Sequence, residues 1–263
     1  MFKLRHLFLI YTVILLIFLN TCQANEESRQ PEGRTKFDDD LRDFMEFVKL
    51  QMKCGYEPAG IPTLAPYEED FKEFNIAGNT WSLKGNLSNL IITGLNEFDI
   101  VDLNWNNVLQ KITFDFKFPS ILAKSSYILN GITGVFGPII GFHGDGLFQL
   151  ELMNLRAHGS FKLRPNLTGG LTIWSFKVKL DLETSKSKTT GIMDSVIYSK
   201  FFNSWIEEFI RLTFEDNGEA VSDALEYLVV PPLNKALKNV SMIELVALIM
   251  GLAQDVIPSE AIC

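Results

Sequence analysis

The chain is poor in the residues that most often carry out chemistry. Its 263 residues include three cysteines and three histidines. It has no His-x-x-x-His pair, Cys/His zinc spacing, Gly-x-Ser-x-Gly elbow or phosphate-cradling glycine loop. His143 precedes Gly144-Asp145-Gly146, which reads as a hairpin turn, and His158 falls on the polar parity of a strand. The adjacent carboxylates Glu68-Glu69 and Glu207-Glu208 read as solvated surface. The chain is therefore expected to be non-enzymatic, with no catalytic residue, metal ligand or cofactor. Positive charge is also the minority, 24 Lys and Arg against 32 Asp and Glu, which excludes nucleic acid as a partner.

A membrane-spanning run is missing too. The apolar stretch Leu7 to Leu19 falls short of the roughly 20 residues a bilayer requires. It follows Lys3, Arg5 and His6 and ends near Cys22-Gln23-Ala24, which is the pattern of a secretory signal peptide over residues 1–24 rather than an anchor. Removing it leaves 22 basic against 32 acidic residues, a net charge of −10 on a mature chain of 239 residues. Two cysteines then remain, Cys54 and Cys263. In an oxidising compartment they are expected to pair; two free thiols or an intermolecular bridge are the alternatives. Secretion also gives meaning to three glycosylation sequons, at Asn86, Asn166 and Asn239. No low-complexity linker divides the chain.

What is present is periodicity. Phe37, Leu41, Phe44, Val48 and Met52 form one helical stripe, with Thr35 and Asp38 placed as a capping box. The connector Lys53–Pro66 follows, with three prolines and two glycines in fourteen residues, too stiff for a helix or a central strand. From Trp81 the period becomes two. Ile112, Phe114, Phe116 and Phe118 alternate with Lys111, Thr113, Asp115 and Lys117, and the same pattern recurs over Met153–Arg164 and Trp174–Leu182. One wet face per strand implies an antiparallel sheet covered on one side. After Gly191, Tyr198, Phe201, Phe202, Trp205 and Phe209 trace a helical stripe, and Val221 to Val229 another, which Pro231-Pro232 is expected to break or kink. The order helix, connector, long strands, helices is an α+β pattern in which a curved sheet wraps a helix. Phe114, Phe116, Phe118, Trp174 and Phe176 are expected to face inward and to meet Trp205 from the helix, while Asp115 points to solvent. Tyr127 shares the parity of Ile121, Ala123 and Leu129; turned inward, its hydroxyl meets either a ligand or a backbone partner.

Several segments carry a resemblance when taken in order: Gly60-Ile61-Pro62-Thr63-Leu64-Ala65-Pro66, Gly94-Leu95-Asn96-Glu97-Phe98-Asp99-Ile100, Ile112 to Pro119, Gly144-Asp145-Gly146, Leu152-Met153-Asn154-Leu155 and the aromatic helix around Phe201 to Trp205. Over about Phe37 to Val240 the chain resembles the insect takeout and juvenile-hormone-binding protein family, itself similar to the group 7 mite allergens and to half of a bactericidal/permeability-increasing protein. The resemblance implies a secreted tubular lipid-binding domain over residues 25–240. In it a highly curved sheet wraps a C-terminal helix and leaves an apolar tunnel for a small hydrophobic ligand, such as a juvenile-hormone-like terpenoid, a fatty acid or another lipid. Phe114, Phe116, Phe118, Tyr127, Trp174, Phe176, Phe201 and Trp205 are the candidate ligand contacts, and a monomer is expected. The chain lacks the family's two closely spaced N-terminal cysteines and adds an apolar segment within residues 241–263, either a plug of the tube or an exposed surface. The alternative reading is a secreted protein-interaction or membrane-surface module with a filled core and no ligand.

Overall fold

The computed structural model describes residues 35–55, 62–77, 81–133 and 140–254; residues 1–34, the middle of the connector and Cys263 lie outside them. The first described element is helix α1 (Lys36–Gln51), started by a complete capping box. The Asp38 amide donates to the Thr35 hydroxyl at 3.3 Å, and the Asp38 carboxylate accepts from the Thr35 amide at 2.9 Å. The other Asp38 oxygen accepts from the Trp105 amide at 2.8 Å, so the cap also bolts the helix to the sheet. Arg42 adds a bond to the Ile100 carbonyl at 2.5 Å, and Phe37 meets the Trp105 ring edge-on at 5.9 Å. The described part of the connector returns to the end of α1, where the Met52 carbonyl accepts from the Leu64 and Ala65 amides at 2.8 and 3.2 Å. This fastens the helix to the start of the first strand.

Six antiparallel strands follow, β1 (Tyr67–Ala77), β2 (Trp81–Thr93), β3 (Asp99–Asn106), β4 (Lys111–Thr133), β5 (Ile140–Pro165) and β6 (Leu171–Thr189), in the order β1-β2-β4-β5-β6 with β3 on β4. At 23 and 26 residues, β4 and β5 run far beyond the usual five or six. β2 and β3 share one edge of β4 in tandem: β2 pairs with it from Thr133 to Leu122, and β3 from Lys117 to Lys111. The link between them turns at Gly94, at φ +90°, where a Cβ would lie 2.2 Å from the Ser120 carbonyl oxygen.

A crease crosses the sheet at this handover. The β4–β5 register passes from Phe118↔Leu155 to Ser120↔Met153, and the β5–β6 register from Leu155↔Leu182 to Met153↔Thr184, leaving Pro119, Asn154 and Glu183 in line without ladder partners. Proline, which has no amide to donate, fits here in mid-strand because neither neighbour asks one of it. Asn154 takes φ 51°, a left-handed conformation that asparagine tolerates. Across the crease the buried parity inverts: Phe118 and Ile121 are both buried on β4, and Leu152 and Leu155 on β5. Each strand can thus keep an inward apolar face on both sides of a bend.

Gly144-Asp145-Gly146 is not a hairpin turn. It lies within β5 opposite Leu129, Ile128 and Tyr127, and its glycines admit a crossing chain rather than a reversal. A Cβ at Gly144 would meet Ile192 at 2.7 Å and the Tyr127 hydroxyl at 2.8 Å. The segment after β6 runs over this stretch, with bonds from Thr190 to Leu147 and from Met193 to His143. The face Asp115 shares is not simply solvated either, since its carboxylate takes two bonds from the Arg156 guanidinium, at 2.8 and 2.6 Å.

Among the described residues three helices follow the sheet: α2 (Val196–Asp216), α3 (Gly218–Leu237) and α4 (Met242–Gln254). The prolines at 231 and 232 do not end α3, which runs through both. They remove amide donors to the Tyr227 and Leu228 carbonyls, and packing of Leu228, Val229, Leu233 and Leu237 on the core holds the helical path. The last helix, α4, lies against α1, with Ile249 buried and Ile243 81% exposed. It is partly core and partly surface. Among the described residues no helix is long and apolar enough to cross a membrane.

Candidate functional site

Among the described residues, the buried ones gather in two clusters. The larger one runs beneath α1 and α3 and takes in most of the predicted strand aromatics. Phe114 and Phe116 stack at 5.3 Å, Phe98 meets Phe116 and Phe118 at 4.9 and 5.1 Å, and Phe161 and Phe176 close on Phe114 at 6.3 and 6.5 Å. Phe114, Phe118 and Phe176 are buried and Phe116 is half-buried. Here the rings touch one another.

The smaller cluster lies at the far end of β4 and β5 and contains Phe74, Leu83, Leu87, Tyr127, Leu129 and Ile192. Against it stands an aromatic ladder on α2. Trp205 stacks on Phe202 at 5.5 Å and on Phe209 at 5.6 Å, Trp81 meets Trp205 edge-on at 6.3 Å, and Phe142 leans on Phe202 at 6.1 Å. In front of the ladder is a cavity of about 530 Å³. Thirteen residues line it, seven of them aromatic and none charged. Its polar groups are the Trp81 and Trp205 indoles, the Tyr198 phenol and the Met193 thioether. Ile197, Tyr198 and Phe201, which line it, are also 78, 56 and 57% exposed, so the cavity opens to the outside through an apolar rim at the first turns of α2.

The predicted residues therefore divide. Phe201 and Trp205 line the cavity. Tyr127 lies in the adjoining cluster, 3% exposed, with its hydroxyl donating to the Thr190 carbonyl at 2.5 Å. Burial, helped by the Asp145 charge, pushes its phenol up to about 12, so it stays a neutral donor. Its partner is backbone. Phe114, Phe116, Phe118 and Phe176 belong to the filled cluster.

Trp174 departs from the expectation, being 50% exposed and turned to the outer face, where Lys162 and Arg164 lie over its ring at 5.3 and 5.8 Å. The cause is a bulge. β5 pairs Lys162 with Ser175 but Leu163 with Ile173, so Trp174 is the extra residue and the parity linking it to Phe176 is broken.

Cavity residues absent from the expected set, including Trp81, Phe142, Ile192 and Met193, come from separate elements. A visible signal existed for Trp81, where the alternation begins, and for Tyr198, Phe202 and Phe209 on the α2 stripe.

The modification sites also differ. Asn166 is committed to the fold: its amide donates to the Lys238 carbonyl at 2.9 Å and its oxygen accepts from the Thr168 and Gly170 amides. Asn86 is half-buried within β2, while Asn239 is exposed between α3 and α4. Cys54 ends the turn after α1; Cys263 is outside the described residues.

Comparison with curated proteins finds no match. Among solved structures, Takeout 1 of Epiphyas postvittana is similar with a TM-score of 0.56 at 17% identity, over 77% of this chain and 93% of that one. A lipopolysaccharide binding protein aligns with a TM-score of 0.37 at 14% identity, over 73% of this chain and 39% of that one. The takeout likeness is one of fold, the long curved antiparallel sheet with C-terminal helices. The family model described as haemolymph juvenile hormone binding protein matches residues 13–247, nearly the whole chain, and the protein belongs to that family.

Proposed function

We propose that the protein is a secreted, non-enzymatic carrier that holds a small, uncharged hydrophobic molecule in the cavity beside α2. The observation that carries this reading is the cavity itself, about 530 Å³ with thirteen uncharged lining residues, within the usual size and character of a small-molecule site. Each buried methylene contributes about 0.8 kcal/mol, so a twelve-carbon ligand grosses roughly 10 kcal/mol before immobilisation costs. One neutral hydrogen bond adds only about 1 kcal/mol. Apolar length therefore sets affinity. A carboxylate drawn inside would meet no cation among the described lining residues and would lose its hydration, which favours terpenoid esters, alcohols and other neutral lipids over fatty-acid anions. Family membership supports the same reading, as its members are described as juvenile hormone binding proteins. We also propose that the leader of residues 1–24 directs secretion, that residues 25–240 form the carrier domain and that 241–263 extend it. Cys54 is expected to pair with Cys263, a reading supported by the disulfide-bonded state of Cys54. Asn239 is the sequon best placed to carry a glycan.

Trp81 and Trp205 both line the cavity, which supplies the test. Titrating the secreted protein with a neutral terpenoid ester and with a fatty acid of equal carbon count should change tryptophan emission saturably, with tighter binding of the ester at neutral pH. Native mass spectrometry of protein from its source should find an extractable neutral lipid. Protein that arrives empty and responds to neither probe would return the reading to an interaction module without a ligand.

A further inference from the structure

β6 is the terminal strand of the sheet, and a bare sheet edge exposes unpaired backbone groups. At four amides of β6, helix side chains stand in for the missing strand. Asn234 accepts from the Ile173 amide at 2.6 Å and donates to the Ile173 carbonyl at 3.3 Å. Ser222 accepts from the Val178 amide at 3.3 Å, and Glu207 and Asn203 accept from the Ser187 and Thr189 amides, both at 2.7 Å. Between Val178 and Ser187 no such cap is found among the described residues. Edge-facing amides recur every second residue, and their direction inverts with the pleat at the crease. Counting from Val178 on one side and from Ser187 on the other, the amides of Leu180, Leu182 and Ser185 point to the open edge.

The uncapped stretch faces α2 across a cavity of about 610 Å³. Five carboxylates line it, Asp181, Glu183, Glu207, Glu208 and Glu215, against the cations Lys179 and Arg211. Arg211 is already held by Glu208, at 2.8 and 2.6 Å, and by Glu215. Asp181 supplies an independent sign that something is missing. It is 8% exposed, its Oδ2 has no hydrogen-bond partner, and its Oδ1 has only the Lys179 ammonium at 3.5 Å. The groove asks for two things at once, carbonyl acceptors for the edge amides and positive charge for the carboxylates. A polyamine meets only the second need and an anion only the first. An extended peptide with basic side chains meets both.

We propose that the gap between β6 and α2 is a docking groove for an extended basic peptide, which adds to the sheet as a short strand along Leu180–Ser185 and turns its lysine or arginine side chains toward Asp181, Glu183 and Glu215. The groove is separate from the apolar cavity, and the inference does not depend on the carrier reading.

The test uses the secreted protein and a panel of fluorescein-labelled, end-capped hexapeptides with Lys or Arg at every second position. Members of the panel should bind saturably by fluorescence anisotropy and slow hydrogen exchange at Leu180, Leu182 and Ser185. N-methylating alternate peptide amides should weaken binding about tenfold, and so should the double variant Glu183→Lys with Glu215→Lys, both at exposed positions. Thermal unfolding of the variant like that of the parent would separate this loss from misfolding; should the pair fail to fold, Glu183→Gln alone serves as the second variant. The proposal is overturned if no basic peptide binds, or if the variants bind the panel as the parent does. It is equally overturned if spermine and the N-methylated peptides bind as tightly as the parent peptides, which would leave an acidic surface only.

Discussion

Under α1, rings from β4, β5, β6 and the β2–β3 link press on one another, with Phe98, Phe114, Phe116 and Phe118 at 4.9 to 5.3 Å. Where α2 begins, Phe202, Trp205 and Phe209 stack almost as closely, at 5.5 and 5.6 Å, but on a single wall facing about 530 Å³ of space. Aromatic content is similar at the two ends; what differs is what stands opposite. At the packed end β4 carries Phe114, Phe116 and Phe118 at successive inward steps. At the hollow end the strands carry Gly131, Gly141 and Gly144, and the place of a Gly131 side chain is taken by the Phe142 ring, 2.4 Å from where its Cβ would be. Volume that side chains leave unfilled becomes binding space.

The sharpest test of the packed end is Phe114→Ala. Phe114 is 8% exposed and in ring contact with Phe116, Phe161 and Phe176, so its truncation should cost about 3 to 5 kcal/mol. Urea unfolding should show the loss, with affinity for a hydrophobic probe unchanged in the folded fraction. A loss below about 1 kcal/mol would mean that the packed end is as loosely filled as the other.

The crease between the two ends contributes a smaller, pH-dependent effect. Burial pushes the Asp181 carboxyl up to about 7 from an ordinary value of 3.8, and the Lys179 ammonium, 3.5 Å away and half exposed, is too loosely placed to offset it. A folded carboxyl that holds its proton more tightly than the unfolded one makes the folded state the better proton binder between these values. Stability should therefore fall as pH rises from about 4 to about 7, by something on the order of 1 to 3 kcal/mol. Asp181→Asn should flatten that window and leave the protein more stable than the parent at pH 8. Parallel pH–stability curves for the two proteins would show that Asp181 is not the group responsible.

Local features were legible in the sequence because local physics determines them. Thr35 and Asp38 mark the start of α1, the four-residue steps from Phe37 to Met52 mark its buried face, and the alternation from Ile112 to Phe118 marks the inward side of β4. Punctuating residues misled where a long-range contact redefined them. Gly144 marks a crossing chain rather than a turn, and Pro231 and Pro232 stand within α3 rather than ending it. Trp174 was lost to a one-residue bulge, which inverts parity without leaving a compositional trace. Asp115 looked solvated because its partner, Arg156, lies forty-one residues away across a strand pair. The cavity was the least readable feature. Its walls come from β2, β4, β5, the segment after β6 and α2, and only the α2 stripe carries a pattern visible by itself.

The smallest stability effect separates the two ends most directly. Phe201→Ala makes the same chemical change as Phe114→Ala, but at a side chain 57% exposed on the rim of the cavity. With most of its ring already in water, the folded state has little burial to lose, and the change should lie within about 0.5 to 1 kcal/mol. The ligand loses one of the surfaces that shield it at the mouth. Burial of even two or three methylenes at about 0.8 kcal/mol each corresponds to roughly a tenfold or greater change in affinity. Probe titration monitored through Trp205 should therefore show weaker binding in Phe201→Ala with an almost unchanged unfolding midpoint, the reverse of Phe114→Ala. If Phe201→Ala instead destabilises the protein as much as Phe114→Ala and leaves the probe affinity intact, the rim is core, and the contrast between a filled end and an open one fails at the place where it is easiest to see.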